Sequence, residues 1–235
     1  MSGSRRRLPV VSNASGACCL LGLTLLSFSC GPEAGISQSS AGDSSSASTT
    51  DESTRRDAPV ATGPSTIVGR APAAKGGLPA VVVLEPSEPR EWPAQAAAPV
   101  MDQISQTFTP AVLFVRTGQP AEFRNSDDVL HNIRVRHEET RESAFNVALP
   151  TGGTYTHTFP RDGFYDVGCD IHPGMSAVVV ASRTPYASLA ALDGTFSIAD
   201  VPPGSYKLTV YADVRTFERA VTVVPGRTDV VTIDE

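Results

Sequence analysis

From Pro64 onward the chain is written in short runs rich in Val, Ile, Thr, Phe and Tyr, each closed by Gly, Pro or Asp-Gly. The runs are "TIVGRA", "AVVVLEP", "AVLFVRTG", "AEFRNS", "HNIRV", "TYTHTF", "GFYDVGC", "SAVVVAS", "GTFSI", "YKLTVYA", "RAVTVV" and "DVVTI". Turn signals follow one another too closely for the helical crossovers that parallel βαβ units need, so the pattern predicts an all-β chain of antiparallel sandwiches. Twelve runs exceed what one small sandwich holds, which predicts two. The one weakly helical stretch, residues 138 to 143, is short and charged and predicts a loop or a single turn.

The first 63 residues have a different texture. Arg5, Arg6 and Arg7 precede an apolar run over residues 17 to 28, too short to span a bilayer and laid out as an export signal, so residues 1–29 are expected to be a signal peptide. Cys30 follows directly and is succeeded by Gly31 and a polar tract, an arrangement that resembles the lipobox of bacterial lipoproteins, in which the cysteine is acylated. Ser27 and Phe28 depart from that box, and ordinary cleavage near Ser29 is the alternative. Residues 30–63 include "SQSSAGDSSSASTTDEST" and carry too little apolar surface to offset the entropy of ordering, which predicts a flexible Ser/Thr-rich tether. The expected location is periplasmic, or on the outer membrane or cell surface of a bacterium with Cys30 as lipid anchor, or otherwise secreted.

Charge narrows the partners. Loss of residues 1–29 removes three of 19 basic side chains and no acids, leaving 16 against 25 acidic ones. Nucleic acid is not an expected partner of so acidic a chain, whereas a basic docking partner is favoured.

With the signal removed only Cys30 and Cys169 remain, and an acylated or excised Cys30 leaves Cys169 without a disulfide partner. A lone thiol in an oxidising compartment needs protection, by burial or by a metal. In "GCDIHPGM" an imidazole, His172, and a thioether, Met175, stand close by, and Pro173-Gly174 provides the turn that brings them inward. Singly, a buried Cys is usually packing, a His surface or satisfied, a Met core filler. Sulfur donors with imidazole select copper or zinc, and a thiolate, two histidines and a long axial methionine form the set that holds electron-transfer copper. His131, at the start of the run "HNIRV", offers the second imidazole. His137, in a charged loop, and His157, in an alternating strand, are expected to face solvent.

The stretch from about 99 to 182 resembles the cupredoxins, the blue-copper β-sandwiches of the plastocyanin and amicyanin kind. The resemblance is carried by "FTPAVLFVRTGQPAEFRNSDDVLHNI" and by "GFYDVGCDIHPGM", whose Cys-x-x-His-x-x-Met spacing is the short loop of amicyanins. It implies a Greek-key sandwich over residues 98–182 and one type 1 copper held by His131, Cys169, His172 and Met175, with His172 at the solvent edge as the electron entrance. It also implies that Asn132 bridges to the cysteine loop and donates a backbone hydrogen bond to the sulfur. Ile171 stands where plastocyanin-like loops often have proline; its free N–H is expected to give the Cys169 sulfur a second hydrogen bond and raise the reduction potential.

"LDGTFSIADVPPGSYKLTVYA" resembles the carboxypeptidase-regulatory-like family, small transthyretin-like sandwiches, with an Asp193-Gly194 hairpin and a reversal at Pro202-Pro203-Gly204. The opening stretch of that family is matched only by "TIVGRAPAAKGGLPAVVVLEP", which precedes the copper segment. The expectation is a discontinuous second sandwich of residues 64–92 and 183–235 with the cupredoxin inserted; the simpler alternative gives "AVVVLEP" to the cupredoxin as its first strand. Trp92, in the linker, is expected to pack at the junction.

The function expected is single-electron transfer by a copper protein of the cell envelope, with a redox protein such as a cytochrome, oxidase or reductase as partner. Copper carriage or storage, and a metal-free scaffold or adhesion module, are the alternatives. An enzyme is not expected, because four protein ligands leave the metal no position for substrate.

Overall fold

The computed structural model describes residues 63–73 and 77–233. The expected signal peptide, nearly all of the tether and the expected lipid site Cys30 lie outside the described residues. Among them the chain is all-β, with sixteen strands and no helix. In chain order these are β1 (Ser65–Arg70), β2 (Val81–Pro86), β3 (Val100–Ile104), β4 (Thr107–Thr109), β5 (Val112–Arg116), β6 (Pro120–Asn125), β7 (His131–His137) and β8 (Ser143–Leu149), followed by β9 (Thr154–Thr158), β10 (Gly163–Gly168), β11 (Ser176–Ser182), β12 (Ala187–Leu189), β13 (Thr195–Val201), β14 (Gly204–Ala212), β15 (Arg215–Val223) and β16 (Thr228–Thr232). Residues 138–140 form a turn.

The sheets divide into two pairs. In the first, β4-β3-β6-β9 faces β5-β11-β10-β7-β8; β3 with β6 and β5 with β11 are parallel, the remaining pairings antiparallel. Between them Met101, Phe108, Phe123, Ile133, Val135, Phe159 and Val179 are sealed from solvent to 1% or less, and Cys169 and Met175 belong to the same core. In the second pair, β13-β1-β16 and β12-β2-β14-β15 enclose Ile67, Leu84, Ile198, Tyr206, Leu208 and Val210. The run "AVVVLEP" is β2, hydrogen-bonded to β12 and β14, and the strand that opens the first pair is β3.

Alternation explains why some strands are apolar on both faces. Along β11, Ala177, Val179 and Ala181 point into the first core while Val178 and Val180 point out; along β2, Val82 and Leu84 fill the second core while Val81 and Val83 point out. The outward residues meet. Val81, Val83, Val112, Phe164, Val178 and Val180 form a third buried cluster joining the two sandwiches, with Phe164 edge-on to Tyr211 at 4.8 Å. Residues 64–92 thus feed strands that pair with residues after 183, while the strands between stay on their own core.

Candidate metal centre

Strand β10 runs aromatic-rich to Gly168, and Cys169 is the first residue beyond it, so its side chain continues the inward register of Tyr165 and Val167. The loop to β11 is closed by two backbone bonds: Met175 N–H donates to His172 O (3.0 Å), a turn built on Pro173-Gly174, and Cys169 N–H donates to Met175 O (3.4 Å). His131 is the first residue of the neighbouring strand β7 and is fully buried.

These elements bring three donor atoms together. His131 Nδ1 and His172 Nδ1 lie 2.9 Å apart, and Cys169 Sγ lies 3.9 Å from the first and 3.8 Å from the second. A first-row ion bound about 2.0 Å from nitrogen and about 2.3 Å from sulfur, with donors near 120° apart, sets nitrogen and sulfur about 3.7 Å apart. The two N–S separations match, and the nitrogens stand about half an ångström closer than that geometry asks. The donor chemistry, one thiol and two imidazoles with their Nδ1 atoms converging, fits copper or zinc. Met175 is buried in the same core at the end of the loop. His172 is half-buried, unlike His131, and the loops here expose Ile171, Leu130 and Val129.

His131 is held from behind. Its Nε2 lies 2.8 Å from Asp127 Oδ2, leaving Nδ1 to face the sulfur. Asp127 in turn accepts the N–H of Gln106 (2.8 Å) and that of Ser105, the two left-handed residues of the β3–β4 hairpin, at φ +53° and +51°. The Gln106 N–H is the main reason the Asp127 carboxyl sits below the usual carboxylate range, with the His131 hydrogen bond adding to it. Asn125 fixes the entry to this loop, donating to Val129 O and Leu149 O and accepting the Asp127 N–H.

Asn132 sits behind the cysteine loop. Its Oδ1 accepts Asp170 N–H (2.6 Å) and Ile171 N–H (3.3 Å) and lies 3.3 Å from Cys169 Sγ, while its Nδ2 donates to Asn146 Oδ1 (2.8 Å) and Asp170 Oδ2 (3.1 Å). Asp170 also takes Arg134 Nε at 2.6 Å, the main cause of its lowered pKa. This corrects the role expected of Ile171. Its N–H is spent on Asn132, and the amide that reaches the sulfur is that of His172, at 3.4 Å. The reason is the loop's curl: Asn132 Oδ1 lies in front of two successive amides and takes both, and only the next one faces inward. Asn132 thus reaches the loop through both ends of its side-chain amide.

Two further expectations are corrected. His137 is buried, not solvent-facing, because it shares the inward register of His131, Ile133 and Val135 on β7; its Nδ1 accepts Thr140 N–H (3.2 Å) and its ring meets Tyr165 edge-on at 4.8 Å. His157 is half-buried between Phe145 (4.7 Å) and Phe159 (4.8 Å), and burial lowers its pKa. Neither joins the three donors. Asp127, Arg134, Asn146 and Asp170 escaped sequence reasoning as site residues; only Asp127, one turn's reach before His131 in "SDDVLH", left a local trace.

No protein-family profile matches the chain, and no curated protein matches it. Among solved structures it is similar to a purple cupredoxin from Nitrosopumilus maritimus, at 24% identity over 36% of this chain and 99% of that one, with a TM-score of 0.33. It is similar to amicyanin from Paracoccus versutus, at 17% identity over 42% of this chain and 97% of that one, TM-score 0.34. A copper-containing nitrite reductase from Thermus scotoductus SA-01 aligns at 24% identity over 43% of this chain and 26% of its own length, TM-score 0.35.

Proposed function

We propose that the protein is a type 1 copper protein of the cell envelope that carries single electrons, with His131, Cys169 and His172 as the strong ligands and Met175 as the weak axial one. The observation that carries this reading is the convergence of two imidazole Nδ1 atoms and one thiol within 3.9 Å at the end of a closed β-sandwich. Bound copper would supply a one-electron couple. The chain's own residues supply the rest: Asp127 orients His131, Asn132 and the His172 amide restrain Cys169, and half-buried His172 offers the route to a partner. With Met175 as a fourth donor the set would leave a bound metal no position for substrate, so electron transfer to a redox protein is the reading and turnover of a substrate is not. We further assign residues 98–182 to the copper sandwich, 64–92 and 183–235 to a carboxypeptidase-regulatory-like sandwich, residues 1–29 to an export signal, and Cys30 to a lipid anchor.

The test is a titration of the purified protein with Cu(II). An intense visible band from thiolate-to-copper charge transfer, abolished in Cys169→Ser, is the expected result. Absence of the band moves the reading to a scaffold module; a band accompanied by ready loss of copper to a chelator after reduction moves it to a copper carrier.

A further inference from the structure

Where the two sandwiches meet, at the end of β11 remote from the metal loop, a cleft of about 420 Å³ is walled by side chains of three segments. One wall is the outer face of β5 and β11, whose parallel register aligns Val180 with Phe114 and Ser182 with Arg116. The second is Tyr186 and the start of β12; the third is the linker carrying Trp92, which meets Tyr186 edge-on at 5.1 Å. The linker is pinned by Gln95, whose N–H donates to Gln119 Oε1 (2.7 Å) and whose Nε2 donates to Pro120 O (2.6 Å).

The polar groups of this cleft are mostly engaged. Tyr186 Oη donates to Asp200 O, Thr184 Oγ1 accepts Tyr186 N–H, and Ser182 Oγ accepts Thr184 N–H. Arg116 is different. Its guanidinium makes no hydrogen bond or ion pair with any of the described residues, and its Nε is buried without a partner. Burial holds its pKa below the usual arginine range, opposed in part by the neighbouring Tyr186. Arg116 lines the cleft, and its outer guanidinium N–H groups, which have no acceptor among the described residues, are open to an incoming anionic oxygen.

From this arrangement we infer that the cleft is a binding site for a small aromatic monocarboxylate, its carboxylate on the Arg116 guanidinium and its ring among Trp92, Phe114 and Tyr186. One positive charge in a cleft whose other lining residues are uncharged matches a single negative charge, and a guanidinium fork matches a carboxylate's two oxygens. Three aromatic rings suit a flat apolar body, and the volume lies in the range of small-molecule sites, about 300–1,000 Å³. Met175 and Ser182 are seven residues apart along an extended strand, about 23 Å at about 3.3 Å per residue, so the site is independent of the metal centre.

Trp92 is the chain's one tryptophan and reports on the cleft directly. Full-length protein without added metal is titrated with phenylacetate and, separately, with its neutral isostere phenylacetamide, following tryptophan emission. The expected result is a saturable change with phenylacetate, at least tenfold weaker binding of the amide, and Arg116→Gln reducing the acid to the amide's level. Arg116→Lys, which keeps the charge and loses the fork, is expected to fall between. An absence of saturation with the acid, or equal affinity for acid and amide in the unaltered protein, overturns the inference, and that comparison decides even if a variant fails to fold.

Discussion

The imidazole Nε2 of His131 lies 2.8 Å from Asp127 Oδ2, and the same carboxylate closes the left-handed Ser105-Gln106 turn of the β3–β4 hairpin. One acidic side chain thus couples a turn on one sheet to the first residue of a strand on the other. A carboxylate in this position fixes the tautomer that leaves Nδ1 free for a metal and restrains the ring. Asp127→Asn keeps the size and loses the charge, and copper affinity is expected to fall about 10–100-fold, the usual loss when such a support is removed. Competition against a chelator of known affinity measures it; unchanged affinity would show that packing alone positions His131.

Asn132 carries a heavier share of the cysteine loop than Ile171. Replacing it with Leu, of similar volume, leaves the Asp170 and Ile171 amides without their acceptor, at about 2–3 kcal/mol for groups of this kind. Urea denaturation of the metal-free protein reads this directly. Ile171→Pro removes one of those amides and leaves the His172 N–H on the sulfur. Its copper-loaded form is therefore expected to shift in reduction potential by less than about 60 mV, the equivalent of tenfold for a one-electron couple. A larger drop in voltammetry would mean that the Ile171 amide acts on the thiolate after all.

Period-2 patterning made most strands legible, and it fails where polar residues face inward. Strand β3, "VMDQI", hides a fully buried Gln103 whose Nε2 donates to Asn132 O, so its alternation reads as noise. Edge strand β8, "SAFNVAL", lacks a β-branched run, and β12 has only three residues. The three donors were visible because they are rare residue types near turns, and Asn132 through the cupredoxin resemblance; the Asp127 carboxylate and the Asn146–Asp170–Arg134 group were not, since such residues abound in loops and on exposed strand faces and their roles depend on register. His137 is the instructive failure. The alternation from His131 through Ile133 and Val135 points to it, but the charged "HEET" that follows reads as a loop.

Phe164 is on the face of β10 turned away from Cys169's core, packed into the cluster that joins the sandwiches. Phe164→Ala is expected to cost about 3–4 kcal/mol through lost burial and the cavity left behind. The loss falls on the junction rather than on either core, so denaturation followed by Trp92 emission and by far-ultraviolet circular dichroism is expected to separate into two transitions. Coincident transitions would indicate that the two cores remain one cooperative unit without this contact.

Gly194 turns the β12–β13 connection at φ +87°, and a Cβ there would lie 2.1 Å from Ala71 O. Backbone strain and a clash with a backbone atom act together, so Gly194→Ala is expected to destabilise by about 2–3 kcal/mol, measured as a lower urea midpoint at unchanged slope. Little or no change would show that residues 71–73 move aside freely.

The preceding residue, Asp193, sets a pH dependence whose sign follows from its partners. Its Oδ1 accepts Thr195 N–H (3.0 Å) and Thr195 Oγ1 (2.7 Å), and the backbone bond, reinforced by the hydroxyl, holds its carboxyl below the usual range. A carboxylate with a depressed folded pKa contributes stability that is complete above the unfolded value, about 3.9, and is lost as pH falls through the folded value. The thermal midpoint is therefore expected to be level near neutrality and to decline as pH drops below about 4. Asp193→Asn keeps an acceptor oxygen for the Thr195 amide but carries no charge to titrate. Its deficit against the unaltered protein is expected to be greatest near neutrality and to shrink as pH falls below about 4, whereas a deficit that is constant with pH would remove Asp193 from the groups whose titration destabilises the fold.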